Sequence, residues 1–127
     1  MYAYCKHNGI GIIPWALLAS GALARPVGTE TTRINSTKGT PFESRLIGGD
    51  VTIIHRVKEL AQKKNCKMSR IALAWVGSKV ASPTVGISSV QRLHETIVEG
   101  IELTPEEVAY LEEQCVLFGL SANLHEE

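Results

Sequence analysis

At 127 residues with 44% apolar content, the chain suffices for one domain of ordinary globular composition. Thirteen Lys and Arg balance thirteen Asp and Glu, so the formal net charge is zero and gives no electrostatic reason to invoke nucleic acid or an anionic membrane. No apolar run approaches the roughly 18–20 residues of a membrane span, the longest, Gly9 to Ala24, being broken by Gly11, Pro14 and Gly21.

Met1 to Lys6 reads as the end of a helix and His7-Asn8-Gly9 as a turn, a polar opening unlike a signal peptide. Ile10-Gly11-Ile12-Ile13-Pro14 is a short, β-branched apolar run of the kind found in a strand buried on both faces. Residues 24–50 are rich in Gly, Thr, Ser, Asn, Arg and Pro without any period, which predicts a long loop. From Val51 a helical period begins, with Ile53, Ile54, Val57, Leu60 and Ala61 on one face and Asp50 in position to cap it. The dipole of that helix favours Lys63 and Lys64 at its end.

Ser69 to Lys79 contains Ile71-Ala72-Leu73-Ala74-Trp75-Val76, apolar nearly all round, and predicts a helix buried on most sides. Pro83-Thr84-Val85-Gly86-Ile87 reads as a second short strand. Val90, Leu93 and Ile97 then mark an amphipathic helix. Thr104-Pro105-Glu106-Glu107 carries the strongest local signal: a capping hydroxyl, a proline at the first helical position and a glutamate three residues after the cap. Val108, Leu111 and Cys115 line the face this last helix should bury.

Strands that alternate with helices predict an α/β fold of parallel β/α units. Two parallel strands can neither close a barrel nor cover both of their faces. Apolar surface on the strands and on residues 71–76 is therefore expected to lack partners, and the chain reads as part of something larger.

Few residues carry chemistry. Ser88-Ser89 precedes a helix whose first turn holds Gln91 and Arg92. Hydroxyls, free amides and a guanidinium suit a phosphate, and a plain serine cap beside a solvated arginine fits the same residues. Trp15, at the end of the first strand, suits either stacking on a flat ring or plugging a core. Cys5, Cys66 and Cys115 are odd in number and lack metal-ligand spacing, so reduced thiols and a cytosolic location are the default expectation. No His pair has ligand spacing, and Glu106-Glu107 and Glu112-Glu113 read as helix charges rather than paired catalytic acids.

The run from Tyr4 to Trp15 followed by Leu18-Ala19-Ser20-Gly21-Ala22-Leu23-Ala24-Arg25-Pro26 resembles the seventh strand and following loop of aldo-keto reductases, most closely the fungal aryl-alcohol dehydrogenase-like branch. Ile71 to Val76 followed by Ser82-Pro83-Thr84-Val85-Gly86 is similar to that family's approach to its eighth strand, and Leu103 to Glu112 to its closing helix. The resemblance implies that residues 1–127 are the carboxyl-terminal part of a (β/α)8 TIM barrel: its last two β/α units plus the closing helix. It implies an NADP(H)-dependent oxidoreductase acting on a small aldehyde, ketone or alcohol by hydride transfer.

By the same resemblance Trp15 corresponds to the aromatic that stacks on the nicotinamide, and Ala16, Leu17, Leu18, Ala19 and Ser20 to the loop along the pyrophosphate. Residues 24–50 correspond to the belt over the cofactor, with Arg33 as its phosphate contact. Gly86, Ser88 and Arg92 match the site of the adenosine 2′-phosphate, and Glu95 and Thr96 the positions that touch adenine. Three departures stand out: Ala16-Leu17 replaces Ser-Pro, Thr96 replaces Asn, and Lys67 stands where a capping serine is common. The family's catalytic Asp, Tyr, Lys and His lie in its first four strand–loop units, with which nothing here aligns. The expected product is a fragment inactive alone, with no catalytic residue and no metal. The alternative is a non-catalytic interaction module, or a relic, that pairs through its exposed barrel edge.

Overall fold

A computed structural model describes residues 1–30, 35–36, 39–40, 48–97 and 100–114. Helix α1 spans Tyr2–His7. It stops where Gly9 takes a φ of +65°, with Ile10 N–H donating to Cys5 O at 2.8 Å and Gly9 N–H to Lys6 O at 3.4 Å. These two bonds satisfy carbonyls that a helix end leaves free, and only a residue tolerant of left-handed backbone makes them cheaply. The turn read at His7-Asn8-Gly9 is thus realised as a helix stop.

Residues 10–14 and 81–87 run side by side, but no strand is assigned among the described residues. Ala81 and Ser82 N–H donate to Ile12 O at 3.1 and 3.4 Å, and Thr84 N–H to Pro14 O at 3.1 Å. Both segments advance together along these bonds, so they are parallel. One return bond is missing for a covalent reason. In this register the amide of residue 14 would donate back to Ser82 O, and Pro14 has none. Gly11 permits the close approach, since a Cβ there would lie 3.2 Å from that of Ala81.

Helix α2 spans Gly48–Lys63, beginning earlier than the sequence pattern indicates, so Asp50 sits inside the first turn rather than capping it. A negative side chain there still favours the helix dipole. At its end Asn65 takes a φ of +49° while Cys66 N–H donates to Ala61 O at 2.9 Å, the same kind of stop as after α1. Helix α3 spans Met68–Lys79 and starts at Lys67 with no side-chain cap, as expected from a lysine in place of serine. Helix α4 spans Val90–Thr96 and helix α5 Pro105–Glu112. The capping box of α5 is complete: Glu107 N–H donates to Thr104 Oγ1 at 3.2 Å and Thr104 N–H to Glu107 Oε2 at 2.9 Å.

The core joins Ile54, Val57, Leu60 and Ala61 of α2 to Met68 and Ile71 of α3 and Leu111 of α5. The four α2 residues fall on one helical face, as their spacing predicts. Ile71 is fully buried. Ala72, Leu73 and Val76 are buried too, so the apolar face of α3 does find partners, contrary to expectation. They come from α2, α4 and the turn at Ala19–Ala24. Of the face predicted for α5, Leu111 is buried and Val108 half-buried, while Cys115 lies outside the described residues.

Unpartnered apolar surface lies elsewhere. Ile13 and Trp15 on the first segment are 70% and 82% exposed. Helix α4 was expected to bury Val90, Leu93 and Ile97, and all three are exposed, Val90 at 72%. A seven-residue helix needs a second surface to bury such a face, and none of the described residues supplies one.

Candidate cofactor site

The parallel pairing fixes where the site residues emerge. Trp15 follows Pro14 and Ser88 follows Ile87, so both leave their segments at the same, carboxyl, end. Ligands of parallel β/α folds gather at that end. Trp15 is open on its surface rather than a core plug.

The stretch after it is bent by left-handed backbone at Ala16, Ala19, Ser20 and Gly21, with φ of 56°, 47°, 57° and 100°. Three of these residues have a Cβ, and each such conformation carries a steric cost. Short bonds hold the bend: Ala19 N–H to Ala16 O at 2.9 Å and Gly21 N–H to Leu18 O at 2.8 Å. Beyond it Ala22 and Leu23 pack against the α2–α3 core, and Leu17 and Leu18 are half-buried. A strained loop is thereby fixed to the rigid part of the molecule.

At the second segment the two serines do different things. Ser89 caps α4, accepting from Arg92 N–H at 3.2 Å. Ser88 is left for the side chain, and Arg92 Nη1 donates to Ser88 Oγ at 2.9 Å. Arg92 is exposed, so its remaining donors face solvent. A Cβ at Gly86 would meet nothing within 4 Å, leaving open space beside the segment.

Glu95 and Thr96 are engaged already. Glu95 Oε1 accepts from Lys67 Nζ and, at 3.3 Å, from Gln91 Nε2. The Lys67 hydrogen bond is the main reason that its carboxyl lies below the usual glutamate range. Thr96 Oγ1 donates to Leu93 O at 2.8 Å within its own helix. Thr96 also lines an apolar depression of about 280 Å³ with Leu73, Ala74, Gly77, Pro83, Val85 and Ile101. That depression contains no other residue expected at the site. Arg33 lies outside the described residues. Sequence reasoning noted Lys67 only as a poor helix start; its partner is 28 residues away, beyond any local pattern.

Among the described residues no group of three or more His, Cys, Asp or Glu is placed to hold a metal ion, and no helix is long and apolar enough to cross a membrane. Cys5 and Cys66 are free thiols.

The model of the Aldo/keto reductase family matches residues 1–115. The chain belongs to that family. An aldo-keto reductase of Fusarium vanettenii is 44% identical over 117 residues, which cover 89% of this chain and 31% of that protein. The versiconal hemiacetal acetate reductase of Aspergillus parasiticus is 40% identical over 121 residues, 91% of this chain and 35% of its own length. A Schizosaccharomyces pombe protein whose name is that of an aryl-alcohol dehydrogenase is 38% identical over 115 residues, covering 89% and 33%. The aldo-keto reductase fragment thus spans about a third of the length of the curated relatives it matches.

Proposed function

We propose that this chain is the carboxyl-terminal, cofactor-holding part of an NADP(H)-dependent aldo-keto reductase, the last two β/α units and closing helix of a (β/α)8 barrel. The reaction would exchange a hydride between the nicotinamide and a small carbonyl compound or aryl alcohol. The observation that carries this reading is the Arg92–Ser88 pair, which emerges at the same end of two parallel segments as the open indole of Trp15.

The residues present fit the dinucleotide. A guanidinium seated on a hydroxyl offers charge-assisted donors to a phosphate. An uncovered indole at the end of a parallel segment offers a face to a planar ring. The bend at Ala16 to Ser20, tied by backbone bonds and packed at Leu23 against the core, is the stretch that would lie along a pyrophosphate. Glu95 and Thr96 fit less well, since both side chains are already bonded within the protein. When bound, the cofactor would supply the hydride; these residues would hold and orient it. By the resemblance, the catalytic Asp, Tyr, Lys and His, the proton donor among them, lie in barrel units with which these 127 residues do not align.

The exposed Ile13, Trp15 and Val90 favour a second reading, a module that pairs with itself or another chain through this edge. NADPH fluorescence titration with size-exclusion chromatography separates the two. The cofactor reading expects weak NADPH binding and no carbonyl reduction by the 127-residue chain. Robust turnover by the purified chain would overturn the assignment of the proton donor to missing units. A stable dimer indifferent to NADPH would favour the second reading.

A further inference from the structure

Lys67 and Glu95 bring the start of α3 to α4 through a hydrogen-bonded ion pair. Arg70 Nη2 contacts His94 O at 3.4 Å and holds the same two helices together. Three residues before Glu95 on α4 lies Arg92, whose guanidinium reaches back to Ser88. Side chains three apart on a helix are neighbours, so Glu95 and Arg92 can pair across one turn. The two therefore compete: a carboxylate drawn to Arg92 would neutralise it and pull it from Ser88.

We propose that Lys67 is a positioning residue that holds Glu95 off Arg92, and so tunes the preference of this site for an adenine nucleotide that carries a 2′-phosphate over one that does not. The inference rests on the cofactor reading above. Gln91 completes the clamp by donating to the same Glu95 oxygen, which leaves Arg92 the weakest of the influences that lower the Glu95 carboxyl. The pair is solvated, with side chains 60% and 30% exposed. Its effect is accordingly modest, about two- to fivefold in affinity.

The test uses the 127-residue chain and two readouts. The first is NMR of the Glu95 carboxyl and the Arg92 Nε–H. With Lys67 present, the titration of Glu95 should be nearly indifferent to Arg92→Gln. In Lys67→Ser it should become sensitive to that change, and the Arg92 signal should shift. An unmoved Arg92 signal in Lys67→Ser, with α4 intact by secondary chemical shifts, overturns the clamp.

The second readout is titration with 2′,5′-ADP and 5′-ADP at millimolar concentration. Lys67→Ser should weaken 2′,5′-ADP about two- to fivefold and leave 5′-ADP unchanged, and adding Glu95→Gln should restore the loss. Equal loss for both nucleotides, or no restoration by Glu95→Gln, means that Lys67 acts by another route and sinks the proposal. If neither nucleotide binds the unaltered chain, the cofactor reading fails and the preference with it, while the carboxyl titration still judges the Lys67 clamp separately.

Discussion

The indole of Trp75 donates from Nε1 to Glu112 Oε1 at 2.7 Å, joining α3 to α5 across 37 residues of chain. Lys79 Nζ lies 2.8 Å from the same oxygen and 6.0 Å from the centre of the indole ring. One carboxylate thus collects a neutral donor and a cation from one face of α3. Along α5, Lys64 meets Glu107 at 2.9 Å and Arg56 meets Glu113 at 2.6 Å. Arg56 also lies 4.5 Å from the ring centre of Tyr110, whose hydroxyl donates to Glu59 at 2.6 Å. Helix α5 buries little apart from Leu111, so these polar attachments supply much of what holds it.

Glu112→Ala should therefore loosen α5. The lost bond leaves a half-buried indole N–H without its acceptor, which costs about 1 kcal/mol after allowance for solvent screening. Urea denaturation should show a lower midpoint, and the Trp75 indole N–H should exchange faster. An unchanged midpoint with unchanged exchange would mean that the bond contributes nothing.

The same carboxylates give stability a definite pH dependence. The Glu112 carboxyl is held below the ordinary range chiefly by the Lys79 hydrogen bond, and that of Glu107 chiefly by the backbone N–H of Thr104. A lowered folded-state value means that the stabilisation is fully present above the ordinary glutamate value of about 4.3 and is lost as pH falls through the lower folded values. The urea midpoint should thus drop on acidification below about pH 4. The double variant Glu107→Gln with Glu112→Gln should show a shallower drop; a drop as steep as that of the unaltered chain would assign it to other groups.

How much of this was legible in the sequence depended on the range of the interaction. The α5 capping box and the α2 face repeat at fixed local spacing, so Thr104, Glu107, Ile54, Val57 and Leu60 could be placed from their neighbours alone. The bond of Arg92 to Ser88 was also within reach, since the two are one helical turn apart. Pairings such as Lys67 with Glu95 or Trp75 with Glu112 depend on how helices pack and leave no local mark. The two segments read as strands do lie parallel, but no strand is assigned among the described residues, and Pro14 removes one of the donors that a two-sided ladder needs.

Ile71 is the residue on which packing depends most, being fully exposed to its neighbours and not at all to solvent. Ile71→Ala should cost about 2–5 kcal/mol, the range for deleting a buried branched side chain into a cavity that relaxes only in part. Ile71→Val removes one methylene and should cost about 0.5–1.5 kcal/mol. Equilibrium denaturation of both would check the order; a smaller loss for Ala than for Val would show that α3 does not anchor the core.

Ser20 tests whether the loop after Trp15 stores strain. Its φ of 57° and ψ of 20° place a Cβ-bearing residue in left-handed backbone, immediately before Gly21 in the same region. Ser20→Gly relieves roughly 1–2 kcal/mol of steric cost but adds about 0.5–1 kcal/mol of unfolded-state freedom, so the net gain should be small and positive. Ser20→Val places a β-branched side chain where φ is positive and should lose about 1 kcal/mol or more. Thermal denaturation of the pair reads the sign directly. Should Val prove as stable as Gly, the left-handed bend would not be a property of the chain in solution, and the rigid path from Trp15 to the core at Leu23 would go with it.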